Sequence, residues 1–218
     1  MVDLLVKKYG WICEWEDELA KDTPEFIECV KVHAAEDPAT EPEVLRKFCE
    51  DENSWVRYKV AENPNCPLQV LYALKDDAEV ARGLASNPNL PPKMFYYLLE
   101  KDFKNDIKDI VKREIVENPN CPVDILDNFA SSQDVVIRSR VAGNPHSSAE
   151  ILEKVFQHSK RGGTLEFLVF EALAFNHHTP PAILEKIAEY SEYKGVITRL
   201  IDNQSTPPQV LKELKVRG

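Results

Sequence analysis

Nine basic side chains recur at matched places along an acidic chain. They are Lys31, Arg57, Lys59, Arg82, Lys112, Arg113, Arg138, Arg140 and Arg199, and only Glu114 and Glu171 break the columns with acids. Such a row could track a phosphate backbone, with an affinity that falls as salt rises. Bulk charge speaks against a dedicated nucleic-acid binder, because 27 Lys and Arg face 37 Asp and Glu, a net charge of −10. On a helical wheel Lys31, Arg57, Lys112 and Arg138 fall within the apolar arc. Their stems would pack between neighbouring elements, and acids such as Asp109 (with Arg113) and Asp134 (with Arg138) could pair at i,i+4. That structural reading is preferred. It leaves Lys59, Arg82, Arg113, Arg140 and Arg199 facing outward as partner-binding residues, joined by Lys160 and Arg161 in a loop with the only Gly-Gly pair.

The five cysteines suggest less chemistry. Cys29 and His33 share a helical face, Cys49 belongs to the adjacent helix, and Cys13 could be a fourth ligand, so a metal site is conceivable. Core thiols are the commoner arrangement, and neither metal nor cofactor is expected. Cys66 and Cys121 stand a full repeat apart, too far for a disulfide. His146, His177 and His178 read as turn residues and His158 as a loop residue. No nucleophile elbow, Walker loop, paired metal-protease histidines or dinucleotide fingerprint occurs, so the chain reads as non-enzymatic.

What would position these residues is a repeat. Glu62-Asn63-Pro64-Asn65-Cys66-Pro67 returns as Glu117-Asn118-Pro119-Asn120-Cys121-Pro122. Related strings begin at Asn87, Asn144, Asn176 and Asn203, and a degenerate one at Asp37. With these seven residues as anchors, the spacings are 26, 24, 31, 26, 32 and 27 residues. Eight residues after each anchor stand Leu45, Leu71, Phe95, Leu126, Leu152, Leu184 and Leu211. Apolar residues also fill the columns seven and eleven after it, which makes one face of a helix. Seven before the anchor stand Val30, Val56, Val80, Val111, Ile137, Val169 and Val196, and three before it the column is again apolar, which makes a second helix. The Asn-Pro step would end that helix. Ser or Thr three after the anchor (Thr40, Ser147, Thr179, Thr206) would cap the next one, with a capping-box residue three further on.

The chain is therefore expected to be all-α: an α-solenoid of about seven two-helix repeats. Residues 1–29 form an N-terminal helical cap, and residues 30–218 form the repeat domain, with Trp11, Trp15 and Trp55 closing the capped end. Asn63, Asn87, Asn118, Asn144, Asn176 and Asn203 are structural. The run from Val56 to Leu71, and again Val136 to Pro145, resembles the leucine-rich repeat variant (LRV) family over about residues 30–215. The resemblance implies a right-handed superhelix in which one helix per repeat can be 3₁₀. The family's founding example carries an iron–sulfur centre on an N-terminal cysteine cluster. Cys13, Cys29 and Cys49 lack a compact four-cysteine spacing, so the centre is not carried over.

The start MVDLLVKKYGW lacks a secretory apolar stretch and no run spans a membrane, so a cytoplasmic protein is expected. The function expected is a scaffold that binds another protein. Nucleic-acid binding through the outward basic residues is the alternative, and a metal or redox protein the third class.

Overall fold

The computed structural model describes residues 1–15, 23–159, 163 and 165–217, and fifteen α-helices lie among them. After α1 (Val2–Trp15) the helices alternate about the anchors. Those before an anchor are α2 (Pro24–Glu36), α4 (Ser54–Glu62), α6 (Ala81–Ser86), α8 (Asn105–Glu117), α10 (Val135–Gly143), α12 (Glu166–Phe175) and α14 (Lys194–Asp202). Those after it are α3 (Pro42–Phe48), α5 (Leu68–Leu74), α7 (Pro92–Glu100), α9 (Val123–Phe129), α11 (Ala149–His158), α13 (Pro181–Tyr190) and α15 (Pro208–Arg217). The division expected at residue 29 falls within α2. The chain forms two compact units, residues 1–111 and 112–218. No helix among the described residues is long and apolar enough to cross a membrane.

In the first unit α1 packs on α2, α2 on α4 and α4 on α6. In the second, α10 packs on α12 and α12 on α14. This sequential packing of pre-anchor helices is the α-solenoid kind of arrangement. Every residue seven and three before an anchor is buried, from Val30 and Ala34 to Val196 and Leu200. The apolar stripe read from the sequence is thus the core. Gly83 marks a close approach: a Cβ there would stand 2.7 Å from the Tyr58 carbonyl oxygen, so α4 and α6 meet where one residue has no side chain.

The anchor asparagines tie neighbouring repeats together. Asn63 donates from Nδ2 to the carbonyls of Ala35 (2.7 Å) and Asp37 (2.9 Å). Asn87 does the same to Ala61 (2.6 Å) and Asn63 (2.8 Å). In the second unit Asn144 reaches Val116 and Asn118, Asn176 reaches Ala142 and Asn144, and Asn203 reaches Ala174 and Asn176. Each Oδ1 accepts the N–H two residues on, as Asn65 N to Asn63 at 2.7 Å. The asparagine therefore serves two helix ends at once. It closes its own turn, and it satisfies late carbonyls of the preceding repeat that have no helical donor.

Proline is not what sets this turn. Asn176 and Asn203 are followed by His177 and Gln204, yet their ψ angles of 120° and 119° match the 125° of Asn63, which precedes Pro64. The asparagine bonds hold the extended ψ, and proline reinforces it where present.

Two expectations about the post-anchor helices are corrected. The N-cap lies four residues after the anchor, not three, and is usually proline (Pro67, Pro91, Pro122, Pro180) with no side-chain cap bond. Of the residues expected to cap, Thr40, Ser147 and Thr179 donate backwards instead, to the carbonyls of Ala34 (2.5 Å), Val141 (2.5 Å) and Leu173 (2.7 Å). They close the end of one helix and do not start the next. Ser148 alone among the post-anchor N-caps described makes the side-chain bond, accepting from Ile151 N at 3.4 Å. The helices themselves are all α among the described residues, and none is 3₁₀. Their first turns are tight, as Val70 N to Pro67 O at 2.9 Å, and pass at once to i→i−4 closure with Leu71 N to Pro67 O at 3.1 Å.

The capped end also differs. Trp11 and Trp55 are exposed, and the side chain of Trp15 lies outside the described residues. Leu5, Tyr9 and Cys13 of α1 do the closing, with Phe26 of α2 fully buried beside Gly10. Here the first anchor is Asp37. Its neighbours on α1 are donors, not carbonyls: Tyr9 Oη at 2.7 Å and Lys8 Nζ at 2.9 Å, while Ala39 N keeps the local turn at 2.8 Å. These bonds, Tyr9 first, hold its carboxyl down at about 2 from an ordinary 3.8. A depressed folded-state pKa stabilises above the unfolded value and is lost as pH falls through the folded one. Stability is expected to decline between about pH 4 and 2 partly through this group, and Asp37→Asn should flatten that part of the profile. Urea denaturation at stepped pH checks it.

Candidate functional site

The surface of the pre-anchor helices carries the charge columns, and its geometry is repetitive. A basic residue four before one anchor meets an acid one before the previous anchor. Lys59 lies 3.1 Å from Glu36 and 3.2 Å from Glu62 of its own helix. Burial works against the Lys59 ammonium, but the two carboxylates outweigh it and its pKa rises. Arg140 pairs likewise with Glu117, with Glu114 at 3.9 Å. Arg199 stands 3.7 Å from Glu171 and lies over the Phe175 ring, 5.0 Å from its centroid. Arg113 reaches Asp134 at 2.7 Å. That contact and the amides of Val136 and Ile137 overcome the effect of burial, so the Asp134 carboxyl is lowered. Arg82 is exposed on α6, while Lys160 and Arg161 lie outside the described residues.

In the column six before the anchor Lys31, Arg57 and Arg138 make structural contacts, though not through i,i+4 pairs. Lys31 pairs with Asp51 at 2.7 Å and Arg57 with Asp77 at 2.8 Å, both acids standing in the loop that leads to the next pre-anchor helix. Arg57 also donates to the Asp51 carbonyl at 2.8 Å, and Arg138 makes the equivalent bond to Ser132 at 2.7 Å. Arg138 then pairs with Glu166 on α12, both nine-tenths buried. The pairing expected between Asp134 and Arg138 is replaced: Asp134 caps α10 and takes Arg113. Where the column holds Phe170, the ring is buried near Phe156.

Shallow grooves run between these helices. In the first unit one of about 280 Å³ is lined by Trp55, Tyr58, Arg82, Ile107 and Ile110, with Trp55 stacked on Tyr58 at 4.8 Å. A wider one of about 540 Å³ lies between Tyr9, Ile12, His33, Glu36, Lys59 and Glu62. In the second unit a groove of about 310 Å³ is lined by Leu168, Ala172, Phe175 and Arg199. Trp55 and Phe175 are both more than half exposed. The sequence reading places Trp55 at the capped end. What identifies them is their place on the pre-anchor helices, Trp55 eight before its anchor and Phe175 one before.

The cysteines separate into two kinds. Cys66 and Cys121 are buried free thiols, and burial pushes both up to about 12, which disfavours the thiolate. Cys49 is free, its pKa raised by burial and then by Glu50, and its sulfur donates to the Arg46 carbonyl at 3.1 Å. Cys13 and Cys29 are joined as a disulfide beside His33, and Cys49 is not part of that group. His146 and His178 close anchor turns through their backbone N–H, and His158 lies over Ser131 and the Lys154 carbonyl.

Fold and surface together define an all-helical repeat scaffold. Comparison with known protein families, with curated proteins and with solved structures found no match in any of the three.

Proposed function

We propose that the chain is a non-enzymatic scaffold of seven LRV-like helix pairs that binds another protein on the surface of its pre-anchor helices, in the cytoplasm. The supporting observation is how charge and apolar surface are divided there. Lys59, Arg113, Arg140 and Arg199 each face an acid, and the grooves beside them expose Trp55, Ile110 and Phe175. A phosphate backbone would have to displace those carboxylates. Apolar side chains of a protein need only cover the rings, and aromatic residues are the usual anchors of such contacts.

Covalent proximity capture in cells tests the reading, with wild-type chain compared with Trp55→Ser and Phe175→Ser. One recurring protein, recovered about tenfold less with either variant, is expected from the loss of an anchoring ring. Recovery unchanged by both variants would overturn the assignment of this surface.

A further inference from the structure

Three metal-ligating side chains converge where α1 meets α2. Cys13 is fully buried near the end of α1, and Cys29 and His33 lie one turn apart on α2. One ligand atom from each lies within 4.8 Å of the other two. In this structure the two sulfurs are joined, with their Cα atoms 6.1 Å apart. A disulfide sulfur carries no charge and is a poor ligand; the metal ligand is the thiolate. We propose that Cys13, Cys29 and His33 form a redox-gated site for a zinc-like divalent cation, closed as the disulfide and opened by a dithiol reductant.

The donor set selects the ion. Two thiolates and an imidazole suit zinc and its relatives, whereas calcium and magnesium take oxygen ligands. Ligand atoms of one tetrahedral ion stand roughly 3–4 Å apart, so small side-chain rotations would seat all three. The surroundings supply what a ligand histidine needs. Glu36 Oε1 lies 3.5 Å from His33 Nδ1, so with Nε2 on the ion the Nδ1–H would have an orienting carboxylate. Ile12, His33 and Glu36 line the groove of about 540 Å³, so the histidine of the set borders open space. The other cysteines lack this setting.

The exchange balances. A thiolate of the reductant attacks one sulfur, the Cys13–Cys29 bond breaks, and the reductant leaves as its own cyclic disulfide. Two electrons and two protons pass to the cysteine pair. Binding of a divalent cation then forms two sulfur–metal bonds and one nitrogen–metal bond, and releases both protons.

Cobalt(II) absorption reads the site directly on the full chain. Reduced protein is expected to bind one Co²⁺ with thiolate-to-cobalt charge-transfer and tetrahedral ligand-field bands, which Zn²⁺ abolishes. Oxidised protein and Cys29→Ser should show no charge transfer from a thiolate pair, and Cys49→Ser should match wild type. Glu36→Gln should weaken binding about 10- to 100-fold. Circular dichroism of each sample guards against misfolding, and the oxidised wild type serves as a control that carries no substitution. Reduced wild-type protein without these bands, or bands of equal strength in the oxidised chain, would overturn the proposal.

Discussion

Replacing Asn87 with alanine is expected to destabilise the chain by about 2–5 kcal/mol, an unusually large cost for a polar residue in a turn. Asn87 is fully buried, and its bonds include Nδ2 to Ala61 O and Asn63 O, and Oδ1 from Asn89 N. Alanine leaves the buried Ala61 carbonyl without its donor, at about 1–3 kcal/mol, removes one of the two bonds to the Asn63 carbonyl, which Cys66 N still serves, and loosens the local turn. Aspartate should be worse than alanine at neutral pH, because a carboxylate would face two carbonyl oxygens. The first anchor shows the converse, since Asp37 is accommodated where its neighbours are Tyr9 and Lys8. Equilibrium urea denaturation measures the loss, and a cost below about 0.5 kcal/mol would remove the ladder as a source of cohesion.

The second large effect lies in the buried Arg138–Glu166 pair. Arg138→Ala or Glu166→Ala is expected to cost about 3–5 kcal/mol, because each leaves an opposite charge buried alone. The pair is not fully served even in the wild type: Arg138 Nε and Glu166 Oε2 have no partner among the described residues. Replacing both by apolar residues, Arg138→Met with Glu166→Leu, should therefore restore stability to within about 1 kcal/mol of wild type or exceed it. The fold supplies a precedent, since the same register position of the next repeat is held by buried Phe170. A double variant as unstable as the singles would show that the pair is required for this packing.

The periodic core was legible because helical spacing leaves its trace within a single stretch of chain. Val56, Val60, Val70, Leu71 and Leu74 could be placed by counting, and all are buried. What could not be counted is any bond whose partner lies a repeat away. Asn63 reads as a helix-ending residue before proline; that its amide crosses to Ala35 and Asp37 depends on how the helices stack. Thr40 fails for the same reason, since a hydroxyl beside a helix start can equally turn back on the helix before. The charges follow suit. Asp134 sits at i,i+4 from Arg138, but Arg113 of the neighbouring helix reaches it first, and Arg138 finds Glu166. Trp55 was assigned to the closed end together with Trp11 and Trp15, whereas its register eight before the anchor sets it on the exposed face.

The claim that the basic columns are internally compensated, and that the surface is built for a protein, rests on one inexpensive measurement. Fluorescence anisotropy of labelled single- and double-stranded oligonucleotides, titrated with the purified chain across a salt series, reads it directly. With Lys59, Arg113, Arg140 and Arg199 facing carboxylates on a chain of net charge −10, no binding is expected at physiological salt and little below it. Binding that persists at physiological salt, falls steeply above it, and is lost when Arg82, Arg113 and Arg140 are changed together to alanine would contradict the account.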